Sequence, residues 1–165
     1  MQDMTSSEAD VLRCGYDVGF FDKTNVVAWA DRQIESIASP CRTLLDLSMS
    51  RRTHPLDVSN LLRSLASVDP ATTIETRLGF IGLLVADCRM TTQLAIRHLR
   101  TLVREPGTTP EQESEIYMLD GEYHLADSGT YGTIAEVEEM LLQFLTPYAE
   151  QLAHQYPHLI PANRT

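Results

Sequence analysis

Three side chains near the end of the sequence have the spacing of a helical metal site. Glu150, His154 and His158 follow one another at intervals of four residues, so an unbroken helix would place them on one side. Two imidazoles and a carboxylate form a ligand set that zinc accepts. Pro157 opposes this interpretation, because proline removes a backbone N–H and clashes with the preceding helical turn. We therefore predict surface histidines here, keep the three residues only as alternative metal ligands, and expect no cofactor.

The other residues that could support catalysis form no recognised motif. The sequence has no Gly-x-Ser-x-Gly elbow and no glycine pattern typical of nucleotide binding. The loop at residues 128–132 precedes a helix start and could bind an anion through free N–H groups, but a loop capped by Thr133 explains it equally well. Glu136 and Glu139 lie at i and i+3 with Glu138 beside them, and the default interpretation of Glu138 and Glu139 is a solvent-facing polar stripe. The sequence therefore indicates no catalytic residue.

The cysteines and the chain start bear on the compartment. Cys14, Cys41 and Cys88 are odd in number, far apart and without a Cys-x-x-Cys pair, so we predict three small core residues and no disulfide or zinc site. Unpaired cysteines suit a reducing cytoplasm. The first ten residues lack a basic and an apolar region, and no apolar run has membrane-spanning length. We expect a cytoplasmic protein that does not engage a membrane.

Charge is distributed unevenly along the chain. Residues 1–104 contain 12 acidic and 12 basic side chains, whereas residues 105–163 contain 11 acidic side chains and no Lys or Arg. The simplest interpretation is a solvated acidic face that keeps the protein in solution. A second interpretation is that the acidic third packs on a basic stripe of the same chain. Arg97, Arg100 and Arg104 lie at i, i+3 and i+7, so they form one stripe that could meet these carboxylates.

The acidic last third also favours a function in binding a basic protein partner, because clustered charge of one sign accelerates encounter with the opposite sign. We predict a non-enzymatic protein-binding module, for example an immunity-type inhibitor that covers the basic active site of a toxin. Nucleic acid is not expected, since phosphates would be repelled. The representative partner-binding positions are Glu111, Glu113, Glu115, Glu136, Glu138 and Glu139.

Two other classes of function stay open at this point. One is a small helical enzyme whose carboxylates and histidines meet only in the fold. The other is a homo-oligomeric structural protein joined through the aromatic residues near the start of the chain. Those aromatic residues, for which core packing is the default interpretation, are Tyr16, Phe20, Phe21 and Trp29.

Recurring helix signals predict an all-α protein, with seven or eight short helices in a single domain over residues 1–165 and a minor internal break at 105–110. Thr5 with Glu8 and Thr133 with Glu136 have capping-box spacing. Thr24 or Asn25 is expected to cap the second helix.

Prolines and glycines mark predicted starts and ends of these helices. Asp69-Pro70 predicts a helix start, Gly19 a helix terminator and Pro147 a kink or end. Residues 111–128 favour a helix, but a small β-hairpin near 116–125, turning at Asp120-Gly121, is the alternative.

Overall fold

The computed structural model describes residues 2–66 and 69–160, with only the backbone of residues 2–5. Within these ranges every regular element is helical, so the all-α prediction is confirmed. The elements are α1 (Gln2–Asp17), α2 (Lys23–Ser36), α3 (Arg42–Ser48), a short 3-10 turn (Ser50–Arg52), α4 (Pro55–Leu65), α5 (Pro70–Ala86), α6 (Thr92–Leu102), α7 (Pro110–Asp127) and α8 (Ile134–Gln155).

The alternative β-hairpin near 116–125 does not form, because α7 runs unbroken through this segment. Its buried residues Ile116, Leu119 and Tyr123 recur at i, i+3 and i+7, which is helical and not alternating spacing. Asp120-Gly121 therefore lies inside a helix. Thr109 and Gln112 form a capping box that fixes the start of α7.

Packing divides the chain into two compact units, Met1–Asp69 and Pro70–Thr165. The boundary coincides with the predicted helix start at Pro70. The predicted break at 105–110 lies inside the second unit, where it joins α6 to α7. The single domain over residues 1–165 stays a prediction.

In the first unit, α1 packs against α4 and α2 packs against α3. The capping role expected for Thr5 and Glu8 is wrong, because α1 already begins at Gln2. Glu8 is instead buried, and its carboxylate accepts a 2.8 Å hydrogen bond from the indole N–H of Trp29. This bond satisfies two polar groups that would otherwise be costly to bury. Phe20 and Phe21 are also buried, so these aromatic side chains form core and not the exposed edge that the oligomer hypothesis needs.

A second polar cluster links α1 to α4 in the same unit. The guanidinium of Arg13 donates to Asp10 at 2.6 Å, and both side chains are more than nine-tenths buried. Arg13 also lies 3.5 Å from Asp17, which accepts a 2.7 Å hydrogen bond from Ser59 of α4. Removal of one partner would leave the other as an uncompensated buried charge, which is strongly destabilising.

In the second unit, α5 is the central helix and is apolar on nearly every side. It packs most extensively on α8, and α6 and α7 complete the layer. Two glycines allow the close approach: a Cβ on Gly79 would lie 2.8 Å from the carbonyl oxygen of Tyr148, and one on Gly82 would lie 3.0 Å from Cβ of Leu145. A larger residue at either position would require the two helices to shift apart.

The helix ends correct several of the expectations. Asp22, and not Thr24 or Asn25, caps α2, with Asn25 as the reciprocal partner at the third position. Helix α8 continues through Pro147 to Gln155, so of the kink or end predicted at this proline, the end is wrong. No helix in the ranges that the structure describes has the length and apolar character needed to cross a membrane.

The predicted burial of the cysteines holds for only one of the three. Cys14 is buried, whereas Cys41 and Cys88 are exposed. Cys88 follows the end of α5 with a φ of +54°, a left-handed conformation that glycine usually occupies. The backbone hydrogen bonds of Cys88 to Val85 and of Arg89 to Leu84 complete a Schellman motif. The position of Cys88 is therefore determined by the turn that ends α5 and not by packing in the core.

Candidate partner-binding surface

Helix α7 lies between α6 and α8 and has one face open to solvent. Its N-terminal end is held against the later part of α8 by a 3.2 Å hydrogen bond from the Gln112 amide to the Tyr148 hydroxyl. Only residues 128–133 connect α7 to α8, so the two helices form an antiparallel hairpin. On the opposite side, Asp120 of α7 lies 3.5 Å from Arg100 of α6. A groove therefore runs along each side of α7.

The groove between α7 and the start of α8 is acidic. It has a volume of about 700 Å³. Three carboxylates line it: Glu122 from α7, and Glu136 and Glu139 from the first turns of α8. Met140 and Tyr131 contribute apolar surface to the same groove. This combination can receive a cationic side chain together with the apolar stem that carries it.

The first turn of α8 fixes one of these carboxylates. Thr133 caps the helix, and its hydroxyl accepts from the backbone N–H of Glu136. The Glu136 carboxylate in turn accepts a 2.7 Å hydrogen bond from the backbone N–H of Thr133, so the predicted capping box is confirmed. Because this carboxylate already occupies the helix start, the anion site considered for the 128–132 loop has no support in this geometry.

The structure does not gather the six predicted partner-binding glutamates into one patch. Glu111, Glu113 and Glu115 lie in the first two turns of α7, at the end remote from the acidic groove. The rise from Glu113 to Glu122 is about 13 Å. Glu138 turns toward α6, where it accepts a 3.2 Å hydrogen bond from the Thr92 hydroxyl. The predicted positions that line the groove are Glu136 and Glu139.

Among the groove residues that sequence reasoning missed are Glu122 and Tyr131. Glu122 joins the groove only because the hairpin brings the last turns of α7 beside the first turns of α8. Tyr131 stood out in sequence only as part of a loop, yet the residue is 71% exposed. Recognising residues 128–133 as a helix–helix connection would have placed both near Glu136 and Glu139.

Exposed apolar side chains concentrate on the same part of the molecule. Among the described residues, nine large apolar side chains are exposed, and five of them lie between residues 117 and 134. Tyr117, Met118 and Leu125 lie on the outer face of α7, and Tyr131 and Ile134 lie at the hairpin connection. Clustered apolar exposure beside charged groups is typical of protein-interaction surfaces. We call the outer face of α7 and the acidic groove together the α7 surface.

The groove on the other side of α7 is predominantly basic. It has a volume of about 330 Å³, and it is lined by Arg97 and Arg100 of α6 and by Arg104 of the turn that follows this helix. The predicted arginine stripe therefore faces α7, and one of its members, Arg100, lies close to a carboxylate of the acidic third, Asp120.

Burial, together with the Arg77 and Arg97 guanidinium groups, lowers the pKa of the nearby His98 below its usual value of 6.5.

The alternative metal ligands are not brought together. Helix α8 ends at Gln155, so His158 lies beyond the helix that carries Glu150 and His154. Within the described ranges, no group of three or more His, Cys, Asp or Glu side chains has the arrangement of a metal site.

Comparisons with family models, with curated proteins and with solved structures give no match for this chain.

Proposed function

We propose that this protein is a non-enzymatic binding module that recognises a basic, partly apolar segment of a protein partner through the α7 surface. The observation that carries the proposal is the coincidence of exposed apolar side chains with the acidic groove. Apolar residues at the centre of an interface provide most of the affinity, and surrounding charges select the partner and accelerate encounter.

The chemistry of the groove defines the partner segment. Glu122 and Glu139 provide negative charge from both helices of the hairpin. The exposed ring of Tyr131 offers a face for a guanidinium or ammonium group. A segment with Lys or Arg beside a large apolar residue would satisfy both features. An immunity-type inhibitor that covers a basic toxin active site is one concrete form of this function, and the unpaired cysteines support a cytoplasmic location.

Affinity capture with charge-reversed variants tests the proposal. We expect the immobilised wild-type chain to retain a protein rich in Lys and Arg from an extract of its own source cells. The double substitution Glu122→Lys with Glu139→Lys should weaken this binding at least tenfold, because both of these groove side chains reverse their charge. Retention should fall as the salt concentration rises, since exposed charges are screened.

The matched control is the double substitution Glu111→Lys with Glu113→Lys, which makes the same change in net charge at the remote end of α7. Equal loss of binding in both double variants would show that total charge and not the groove determines recognition, and the proposal would then fail. Tyr131→Ala should weaken capture about tenfold without any change in charge.

A further inference from the structure

We propose that the basic groove between α6 and α7 is a second binding site, independent of the α7 surface, which takes a small organic ligand carrying two phosphate groups. The walls come from one face of α6 and the flank of α7. A volume of about 330 Å³ lies at the lower end of the range for small-molecule sites. The residues that line it are Gln93, Ile96, Arg97, Arg100, Thr101, Arg104, Asp120, Tyr123 and His124.

The balance of charge in this groove is positive. Among the described residues that line the groove, Asp120 is the one with a carboxylate. One of its oxygens lies 3.5 Å from the Arg100 guanidinium, and the other lies 3.6 Å from the His124 imidazole. Arg100 therefore compensates Asp120. Arg97 and Arg104 remain as two positive charges, in a protein with a net charge of −10. Both are exposed and accessible to a ligand.

The groups on the lining favour phosphate over other anions. Guanidinium groups bind phosphate oxygens through pairs of parallel hydrogen bonds. A guanidinium is also more weakly hydrated than an ammonium group, so less free energy is lost when water is removed from it on binding. The Thr101 hydroxyl and the Gln93 amide add uncharged donors. Ile96 and Tyr123 are buried and give the groove an apolar floor, which suits the organic part of a ligand.

The positions of the two arginines specify a ligand with more than one anionic group. Arg97 lies within α6, whereas Arg104 lies in the turn that follows the helix end at Leu102, so the two guanidinium groups reach the groove from separate points of the chain. One phosphate group can engage one of these guanidinium groups fully, whereas two linked phosphate groups can engage both. Inorganic pyrophosphate is the simplest probe with this property.

Calorimetric titration of the full chain with inorganic pyrophosphate, at a constant low ionic strength, tests the site. We expect saturable binding with a Kd of about 1 mM or tighter. Inorganic phosphate should bind at least tenfold more weakly. Arg97→Gln and Arg104→Gln should each reduce the affinity about tenfold, because each removes one charge-assisted contact. Arg63→Gln, which removes an exposed arginine on α4, should leave the affinity unchanged.

A second pair of variants separates a site from general electrostatic attraction. Asp120→Asn should tighten pyrophosphate binding several-fold, because it removes the carboxylate within the groove. Asp57→Asn removes an exposed carboxylate on α4, outside the groove lining, and should have no such effect.

Three outcomes would overturn the proposal: no saturable binding at ~10 mM pyrophosphate, equal losses in the Arg63→Gln and Arg97→Gln variants, or binding of an acidic peptide such as hexaglutamate but not of pyrophosphate. None of these outcomes bears on capture of a basic protein by the α7 surface.

Discussion

At the scale of single residues, the end of α5 contains a backbone strain that the ends of α1 and α7 avoid. The same Schellman geometry ends α1 at Gly19 and α7 at Gly129, both with positive φ. At α5 the corresponding residue is Cys88, whose Cβ makes the left-handed conformation less favourable by about 1 kcal/mol. Since the thiol is exposed, core packing does not compensate this cost.

Cys88→Gly should therefore raise the free energy of unfolding of the second unit by about 0.5–1 kcal/mol. The greater flexibility of glycine in the unfolded chain offsets part of the gain. Chemical denaturation followed by circular dichroism measures the change. Cys88→Ala is the control, because it removes the thiol but keeps Cβ, and it should leave stability nearly unchanged. A stabilisation by alanine as large as that by glycine would contradict the role assigned to backbone strain.

At the scale of elements, the contact between α5 and α8 organises the second unit. Gly79 and Gly82 bring the backbones of the two helices together, and α8 passes Pro147 within this stretch without ending. Proline inside a helix removes one backbone hydrogen bond, which costs about 3 kcal/mol in an isolated helix. Packing on α5 provides the compensation that α8 needs to continue.

Gly79→Ala should destabilise the protein by about 1–2 kcal/mol. The added methyl group would lie 2.8 Å from the Tyr148 carbonyl oxygen and 2.9 Å from Cδ2 of Leu152, so the helices must separate. This overpacking outweighs the gain of about 1 kcal/mol in helix propensity. The control is Gly121→Ala on α7, where no atom lies within 4 Å of the new Cβ and the propensity gain should appear alone. Thermal denaturation of the two variants should show shifts of opposite sign, and shifts of the same sign would contradict the close contact.

At the scale of the whole molecule, the two units differ in charge and each has its own core. Residues 70–165 contain 13 acidic and 6 basic side chains, so this unit carries most of the net negative charge. Both grooves beside α7 belong to it. Its core includes the fully buried Leu78, Ile81, Leu99, Leu119 and Leu141.

Residues 70–165 should therefore fold without the first unit, because 96 residues can bury a sufficient core. We expect a helical circular dichroism spectrum and a cooperative thermal transition for this fragment. A shorter fragment that begins at residue 105, the break predicted from sequence, lacks α5 and α6 and should stay unfolded. Failure of the longer fragment to fold would instead favour one cooperative domain over residues 1–165.

The sequence by itself determined the helical class and several helix starts. Pro70 and the Thr133–Glu136 capping box were recognisable because they depend on residues within one turn of each other. The groove-lining arginines were recognisable as a stripe for the same reason. Tertiary structure alone decided that Glu122 joins Glu136 and Glu139, that Glu8 bonds to Trp29, and that α8 continues past Pro147. These outcomes depend on contacts between residues that are distant in sequence. The free energy of such contacts exceeds local helix preferences, but the contacts leave no recognisable pattern in a short stretch of sequence.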